Sequence, residues 1–381
     1  MTLPPKPRPP PTRRRVALGL CVALCAGLGL AMPTLAAPEA KSPVGPKRRA
    51  KPAKTARTRT AAAGGPPYAN HPAALAFAAE VAARSGLSQR WLELHLAQAT
   101  RVEAVRKLIM PPPAGTAKNW AAYRARFVEP KRIAEGVAFW RAHAAWLTQA
   151  QARYGVPPEI VVAIVGVETF YGRVMGNFRV LDALATLSFD FPPGRKDRSV
   201  FFRSELEAFF VMCSREGVDP TGVLGSYAGA LGLPQFMPSS VNRFAVDMDD
   251  DGHIRLQDNP ADVVGSVAHY LAQAGWQAGM ATHHAVAAPV DTTARATLLA
   301  PDILPSFTAA QMAEHGAVLS DAGRAHGGLL ALVELQNGDL AASYVAGTQN
   351  FYVVTRYNWS AYYAMAVIEL AQALRLQMSA P

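Results

Sequence analysis

The sequence predicts an α+β protein that is mainly α-helical, with a small β-containing region near its C-terminal end. Apolar residues at helical spacing dominate residues 72–274, and short β-type runs separated by Gly, Asn and Asp dominate residues 287–356. A helical pattern returns at residues 362–376. The 381 residues exceed what one hydrophobic core usually serves, so we expect two domains or one multi-lobed body.

Pro and Gly residues mark many ends of the predicted helices and β-type runs. Helices are expected at 75–85 and 87–108, before three consecutive prolines. Another helix is indicated by an apolar stripe with spacings of four, three, four and three residues. The stripe consists of Ile133, Val137, Trp140, Ala144 and Leu147. The remaining predicted elements are a helix that opens at 156–159 and has its body at 160–167, helices at 182–187, 203–216 and 260–274, and β-type runs at 329–335 and 351–355.

The positive charge of the chain is concentrated at its N-terminus. The formal net charge is +10, but residues 1–65 hold 13 Lys and Arg against one acid, Glu39. The remaining 316 residues carry 25 basic and 27 acidic side chains. A globular domain that binds nucleic acid would carry its basic residues on the fold itself, so this class of protein is disfavoured.

The N-terminus also has the pattern of an export signal. Arginines at 13–15 precede an apolar stretch at 16–32, and small residues follow around a cleavage position near Ala36. An uncleaved transmembrane anchor is the alternative, because the stretch is at the short end of the spanning range. Cys21 and Cys25 lack the small preceding residue that lipid attachment requires, so we expect a periplasmic protein that is not a lipoprotein.

Glu168 is the candidate catalytic residue. It ends a helix whose body, residues 160–167, is apolar all round, and the nearest basic residue along the chain is Arg173. Desolvation disfavours the carboxylate and raises its pKa, as a general acid at neutral pH requires. The alternative is an ordinary glutamate at a helix end with its carboxylate in water.

The segment 226–240 is too rich in Gly and Pro to be a regular element. Its amide, Gln235, and its hydroxyls fit hydrogen bonding to a neutral ligand that carries acetamido or hydroxyl groups. The glycines allow a ligand to approach the backbone closely. A purely structural loop is the alternative interpretation.

Residues 247–258 fit the twelve-residue EF-hand loop, with Asp at positions 1, 3 and 5 and Gly at position 6. Position 7 contributes a backbone carbonyl, and position 12 has Asp in place of the usual Glu. The candidate ligands are Asp247, Asp249, Asp251, His253 and Asp258. We expect this loop to bind a structural Ca²⁺ ion, with Na⁺ as the alternative ion at low calcium. No organic cofactor is expected. The other interpretation of the loop is a solvated acidic turn that binds no metal.

Several segments in order resemble the soluble form of the membrane-bound lytic murein transglycosylase B family. They are 165–173, 175–177 with 181–187, 229–240, and 350–358 with 363–366, within a similarity that extends over about 68–376. The resemblance implies a goose-lysozyme-like core flanked by an α domain and a β domain. It also implies cleavage of the β-1,4 bond between N-acetylmuramic acid and N-acetylglucosamine in peptidoglycan, with a 1,6-anhydromuramyl product.

The resemblance assigns roles to individual residues. Glu168 becomes the single catalytic acid and base, and the sequence offers no second acid in a comparably apolar helix; Asp182 and Asp190 are the nearest. The implied substrate-binding or acid-positioning residues are Ser226, Gln235, Met237, Tyr123, Arg198, Tyr270, Tyr357, Asn358 and Tyr363. The segment around Arg198 is a few residues longer than the family's usual connection.

The domain organisation combines these observations. The predicted parts are a signal peptide (1–36), a disordered basic Pro/Ala linker (37–65), a helical domain (66–155), a lysozyme-like catalytic core with the EF-hand-like loop (156–286), a small β-containing lobe (287–356) and a C-terminal helix that returns to the body (357–381).

The expected partner is the peptidoglycan glycan strand, and other cell-wall enzymes are further candidates. Nucleic acid is not expected, and membrane contact is expected only through an uncleaved N-terminal segment. Two functions compete with the transglycosylase: a lysozyme-type muramidase, which is a hydrolase, and a non-catalytic peptidoglycan-binding scaffold.

Overall fold

The computed structural model describes residues 66–111 and 118–379, and the predicted signal peptide and basic linker lie outside these residues. The helices are α1 (Pro72–Ser85), α2 (Gln89–Leu96), α3 (Glu103–Leu108), α4 (Trp120–Ala125), α5 (Pro130–Ala142), α6 (Ala144–Tyr154), α7 (Pro158–Thr169), α8 (Val180–Phe189), α9 (Ser199–Glu216), α10 (Pro238–Phe244), α11 (Pro260–Gln273), α12 (Thr292–Leu299), α13 (Ala309–Glu314), α14 (Asp321–Arg324), α15 (Gln349–Tyr357) and α16 (Ala361–Ser379). The strands are β1 (Phe178–Arg179), β2 (Leu224–Gly225), β3 (His283–Ala287), β4 (Val318–Leu319), β5 (Ala331–Asn337) and β6 (Leu340–Gly347).

The mainly helical class is confirmed, but two predicted helices are each divided in two. The single helix expected at 87–108 is α2 and α3, with an extended connection between them. In this connection the backbone N–H of Thr100 donates to Asp182, and that of Val102 donates to the Thr186 hydroxyl. These hydrogen bonds to side chains of α8 take the place of the backbone hydrogen bonds that a continuous helix would form. The apolar stripe of residues 133–147 is divided at His143, where α5 ends and α6 begins.

The β-strand prediction for residues 351–355 is wrong. The segment lies in α15, and the hydroxyl of Thr348 caps this helix by accepting a hydrogen bond from the N–H of Asn350. Its apolar residues, among them Phe351 and Val354, are buried against the helical body rather than in a sheet. The other β-type run, 329–335, overlaps β5 and is confirmed.

The main sheet is antiparallel, with the strand order β4-β3-β6-β5. The first strand of this sheet begins at His283, a few residues before the predicted lobe, and three short helices (α12, α13 and α14) interrupt the sequence between β3 and β5. The lobe has a small hydrophobic core of its own. That core consists of Leu298, Met312, Ala317, Leu319, Leu330, Leu332 and Ala346.

Helix α7 lies at the centre of the helical body. It packs against α5, α6, α11 and α16, and nine of its twelve residues are buried. This burial on every face explains why its sequence is apolar all round. The helix ends at Thr169, and the next three residues, Phe170, Tyr171 and Gly172, all have positive φ angles, so the chain turns sharply away.

The structure also bears on membrane insertion. Within residues 66–111 and 118–379, no helix is long and apolar enough to cross a bilayer. The apolar stretch at 16–32 is not part of the described residues.

We predict that Gly176→Ala destabilises the fold more than Gly217→Ala. Both glycines have positive φ, but a Cβ at Gly176 would lie 2.2 Å from the Gly225 carbonyl oxygen, whereas nothing lies within 4 Å at Gly217. Both variants carry the conformational cost of about 1 kcal/mol, and only Gly176→Ala adds a backbone clash. Urea unfolding should show a further loss of about 2 kcal/mol for Gly176→Ala. Equal losses in the two variants would contradict this reading.

Candidate active site

Glu168 lies in the last turn of α7, with its side chain half-buried. Its Oε1 accepts a hydrogen bond of 2.7 Å from the hydroxyl of Tyr363 in α16. Burial raises the pKa of the Glu168 carboxyl to about 8, and the hydrogen bond from Tyr363 opposes this rise only in part. The carboxyl therefore holds its proton near neutral pH, as the sequence predicts.

Tyr363 is held rigidly behind Glu168. Its side chain is fully buried, and its ring stacks on that of Tyr357 with the ring centres 6.4 Å apart and the planes 11° from parallel. The hydroxyl of Tyr357 donates to the Pro234 carbonyl at 2.6 Å. This pair of tyrosines thus connects the Glu168 carboxyl to the Gly-rich loop.

Arg132, which no sequence pattern indicated, stabilises the end of α7. One of its N–H groups donates to the Gly166 carbonyl at 2.7 Å, and its guanidinium lies 4.7 Å from the centre of the Phe170 ring. A cation at a helix C-terminus also interacts favourably with the helix dipole. The hydroxyl of Thr169 donates to the Leu233 carbonyl and fixes the same turn against the loop. No local pattern marks Arg132, because it lies in a different helix far along the chain.

The sequence offers no second acid in a comparably apolar helix, but in the structure Asp182 lies in α8, of which nine of ten residues are buried. Glu205 and Asp262 are buried too. Burial raises the pKa of each of these carboxyls, and hydrogen bonds from backbone N–H groups oppose the rise. The donors are Thr100 for Asp182, Ser239 for Glu205, and Met248 and Arg255 for Asp262.

The carboxylates of these three acids therefore accept hydrogen bonds that hold the backbone of neighbouring segments. Among the described residues, the hydrogen bond to Glu168 comes from a tyrosine side chain and none comes from a backbone N–H. Glu168 therefore differs from the other buried carboxyls in being held by one hydroxyl and in reaching the surface with part of its side chain.

The loop at 226–240 is held by its own polar groups. The Ser226 hydroxyl oxygen accepts hydrogen bonds from the N–H groups of Ala228 and Ala230. The Gln235 amide donates to the carbonyls of Met175 and Gly232, and its backbone has a positive φ of 50°. Ser226 and Gln235 are half-buried, so each retains contact with solvent beside its structural bonds.

The predicted tyrosines divide into two groups. Tyr270 and Tyr357 are 5% and 3% exposed, and the Tyr270 hydroxyl donates to the Arg356 carbonyl, so these two rings are too deeply buried to cover a sugar. Tyr123 is half-buried and packs edge-on against Tyr362. Of the predicted tyrosines, it is the one that is not fully buried.

The remaining predicted substrate-binding residues, Met237, Asn358 and Arg198, differ in their burial and their contacts. Met237 is 4% exposed and begins α10 as its N-cap, which makes it a core residue. Asn358 is half-buried directly after α15. Arg198 stacks 4.5 Å from the Phe201 ring centre, and no hydrogen bond or ion pair joins it to Glu168 within the described chain.

The acidic loop brings three of its five predicted ligands together. One carboxylate oxygen each from Asp247, Asp249 and Asp251 lies within 4.8 Å of the others. The loop turns at Gly252, whose φ is 87°. Asp258 is not in the cluster. Its exposed carboxylate lies 3.9 Å from Arg255, which also pairs with Asp251 at 2.8 Å. The His253 side chain is also outside the cluster, as expected for a position that contributes its backbone carbonyl.

We predict that Tyr363→Phe raises the pKa of Glu168 further, because the lost hydrogen bond stabilises the carboxylate. NMR titration of protein with ¹³C-labelled glutamate carboxyls measures the shift. Tyr362→Phe is the matched control, since that hydroxyl donates to the Gln336 carbonyl instead. A Glu168 pKa that stays constant or falls in Tyr363→Phe would show that this hydrogen bond does not favour the ionised form.

Comparison with known proteins covers most of the chain. The family described as Transglycosylase SLT domain matches residues 69–372. The membrane-bound lytic murein transglycosylase B of Escherichia coli K12 is 40% identical over 317 residues, which are 81% of this chain and 84% of the relative.

Two solved structures share this fold. The soluble lytic transglycosylase SltB1 from Pseudomonas aeruginosa has a TM-score of 0.74 at 39% identity, covering 81% of this chain and 100% of that one. The E. coli lytic transglycosylase Slt35, in a complex with calcium, has a TM-score of 0.70 at 38% identity, covering 82% and 96%. From the family match, the sequence identity and the shared fold together, the chain belongs to the lytic murein transglycosylases with the SLT transglycosylase domain.

Proposed function

We propose that Glu168 is the single acid and base of this transglycosylase, which cleaves the β-1,4 bond between N-acetylmuramic acid and N-acetylglucosamine. The observation that carries the proposal is a half-buried carboxyl with a pKa of about 8 at the end of an apolar helix. Such a carboxyl is protonated at neutral pH and can give its proton to the glycosidic oxygen as the bond breaks.

The second half of the reaction uses the same carboxylate as a base. It takes the proton from the C6 hydroxyl of the muramyl residue while that oxygen bonds to C1, which closes the 1,6-anhydro ring. A hydroxyl attached to the same ring replaces the water or the nucleophilic carboxylate of two-carboxylate glycosidases. Its proximity supplies part of the rate enhancement. One carboxyl group is then sufficient, and the backbone-bound Asp182, Glu205 and Asp262 need no role in the chemistry.

The surrounding residues are assigned by their exposure and hydrogen bonds. Ser226, Gln235, Asn358 and Tyr123 are half-buried and are proposed to contact the glycan. The buried Tyr270, Tyr357 and Tyr363 position the acid and the loop, and Met237 packs beneath the loop. Arg198 is proposed as an outer contact that reaches the glycan from α9.

Substrate and location follow from the same proposal. The glycan strand of peptidoglycan is the substrate, so the enzyme acts in the periplasm after export directed by its N-terminal segment. The division of the chain into a helical domain, a catalytic core and a β-containing lobe is proposed with the boundaries given by the sequence.

The Asp247, Asp249 and Asp251 cluster is proposed to hold a structural Ca²⁺ ion. Three carboxylates converge in a loop with EF-hand spacing, and hard oxygen ligands suit this ion. Asp249 also accepts a hydrogen bond from Asn259, the N-cap of α11. The loop therefore stabilises the start of that helix.

We predict that Glu168→Gln reduces turnover of purified peptidoglycan by at least about 10²-fold, because the glutamine amide has no acidic proton and cannot act as a general acid. Release of soluble muropeptides measures this loss. Glu159→Gln is the matched control, since Glu159 lies in the first turn of the same helix, and its activity should be close to that of the wild-type protein. Unchanged binding to insoluble peptidoglycan would show that the glycan surface of Glu168→Gln is intact.

The competing functions give different results in the same assay. A non-catalytic scaffold would release no muropeptides in any variant, and a Glu168→Gln variant with full activity would contradict the assigned chemistry. A muramidase would lose activity in Glu168→Gln but would yield reducing ends that carry one added water.

We predict that Asp247→Asn weakens Ca²⁺ binding at least about tenfold, whereas Asp250→Asn leaves it nearly unchanged. Asp247 is in the carboxylate cluster, and Asp250, its neighbour in the same loop, is not. Isothermal titration calorimetry with CaCl₂ measures both affinities. A wild-type protein that binds no Ca²⁺, or equal weakening in the two variants, would contradict the metal site.

A further inference from the structure

Two histidines meet in the β-containing lobe, away from Glu168 and from the acidic loop. His284 lies on β3, and His326 follows α14 in the connection to β5. The centres of their imidazole rings are 5.1 Å apart, with the ring planes inclined at 56°. Because the two residues are 42 positions apart in sequence, the fold itself brings them together.

The Nε2 atoms of both rings are buried and have no hydrogen-bond partner among the described residues. Buried polar side-chain atoms are bonded in the large majority of cases, so each exception needs an explanation. Two such atoms on adjacent rings indicate that something outside the protein chain satisfies them both. A neutral imidazole offers one nitrogen lone pair, which is the group that transition metals bind.

The separation of the rings agrees with one shared metal ion. A Zn–N bond is about 2.0–2.1 Å long, and the ring centre lies about 1.1 Å beyond the nitrogen, so two imidazoles on one tetrahedral ion have ring centres about 5 Å apart. The observed 5.1 Å matches this value.

The backbone packs closely against the histidine pair at two glycines. A Cβ on Gly328 would lie 2.9 Å from Nε2 of His326, and a Cβ on Gly323 would lie 3.1 Å from the His284 Cβ. Gly328 does not have a positive φ angle, so its backbone conformation alone does not require glycine. A Cβ at this position would press on the unpartnered nitrogen, which is a separate reason for glycine here.

The charged residues nearest in sequence to His326 pair with each other. Arg324 in α14 forms an ion pair with Asp321 and donates to the Leu319 carbonyl, so its charge is neutralised within its own helix.

We propose that His284 and His326 form a binding site for one divalent transition-metal ion of the Zn²⁺ class, with water completing the coordination. Imidazole nitrogen suits Zn²⁺, Cu²⁺ and Ni²⁺, whereas Ca²⁺ prefers the oxygen ligands of the acidic loop. The ion links residues 325–328 to β3 and stabilises the lobe. This site is independent of the glycan chemistry proposed for Glu168.

Calorimetric titration with ZnCl₂ in excess CaCl₂, which occupies the acidic loop, tests the proposal on the whole protein. We expect one equivalent of Zn²⁺ to bind, and binding should weaken at least tenfold in His284→Gln and in His326→Gln. His315→Gln is the control for the ligands, because His315 packs on Phe307 in the same lobe. Circular dichroism in EDTA checks that each variant is folded.

A pair of glycine variants tests the site without changing a ligand. Gly328→Ala should weaken Zn²⁺ binding, and Gly327→Ala, with nothing within 4 Å of the added Cβ, should bind as the wild-type protein does. Absence of Zn²⁺ binding by the wild-type protein, or equal binding in His284→Gln, His326→Gln and the wild type, would overturn the proposal. The first result would assign the two nitrogens to buried water.

Discussion

The active site depends on the burial of one helix on all sides. Helix α7 is enclosed by α5, α6, α11 and α16, and its apolar sequence is what allows this position. Glu168 lies in the last turn of this helix, where the apolar surroundings solvate a carboxylate poorly. The raised pKa follows from this placement rather than from a neighbouring charge, since burial is its main cause and the Tyr363 hydroxyl acts in the opposite direction.

The same placement makes stability depend on pH. The pKa of Glu168 rises on folding from 4.5 to about 8, so the folded state binds this proton more tightly than the unfolded state. The resulting stabilisation is complete below pH 4.5 and is lost as the pH rises through about 8. The other buried acids accept backbone N–H hydrogen bonds, which lower the cost of their ionisation. Among the described residues, Glu168 accepts no hydrogen bond from a backbone N–H, so its ionisation stays unfavourable and its pKa stays high. A high pKa is the property that an acid catalyst requires.

Local sequence was sufficient where one segment determines its own environment. The prolines and apolar body of α7, the position of Glu168 and the three converging aspartates were all predicted from short patterns. Residues 351–355 were misassigned because a short run of aromatic and β-branched residues is typical of a strand, while the cap from Thr348 and the burial against the body specify a helix. Arg132 and Glu205 could not be found from local sequence, because their partners, Gly166 and Ser239, are more than thirty positions away. The burial of Tyr270 and Tyr357, which excludes a stacked sugar, likewise depends on contacts between distant helices.

The central claim is that one carboxyl, with its pKa raised by burial, serves as both acid and base because the substrate supplies the attacking hydroxyl. Digestion of peptidoglycan in isotopically labelled water, followed by mass spectrometry of the muropeptides, tests this most directly. Our account predicts muramyl ends that are one water lighter than hydrolysis products and that contain no oxygen from the solvent. Muramyl ends that carry the labelled oxygen would contradict it, because they would require a water nucleophile and a group to activate it.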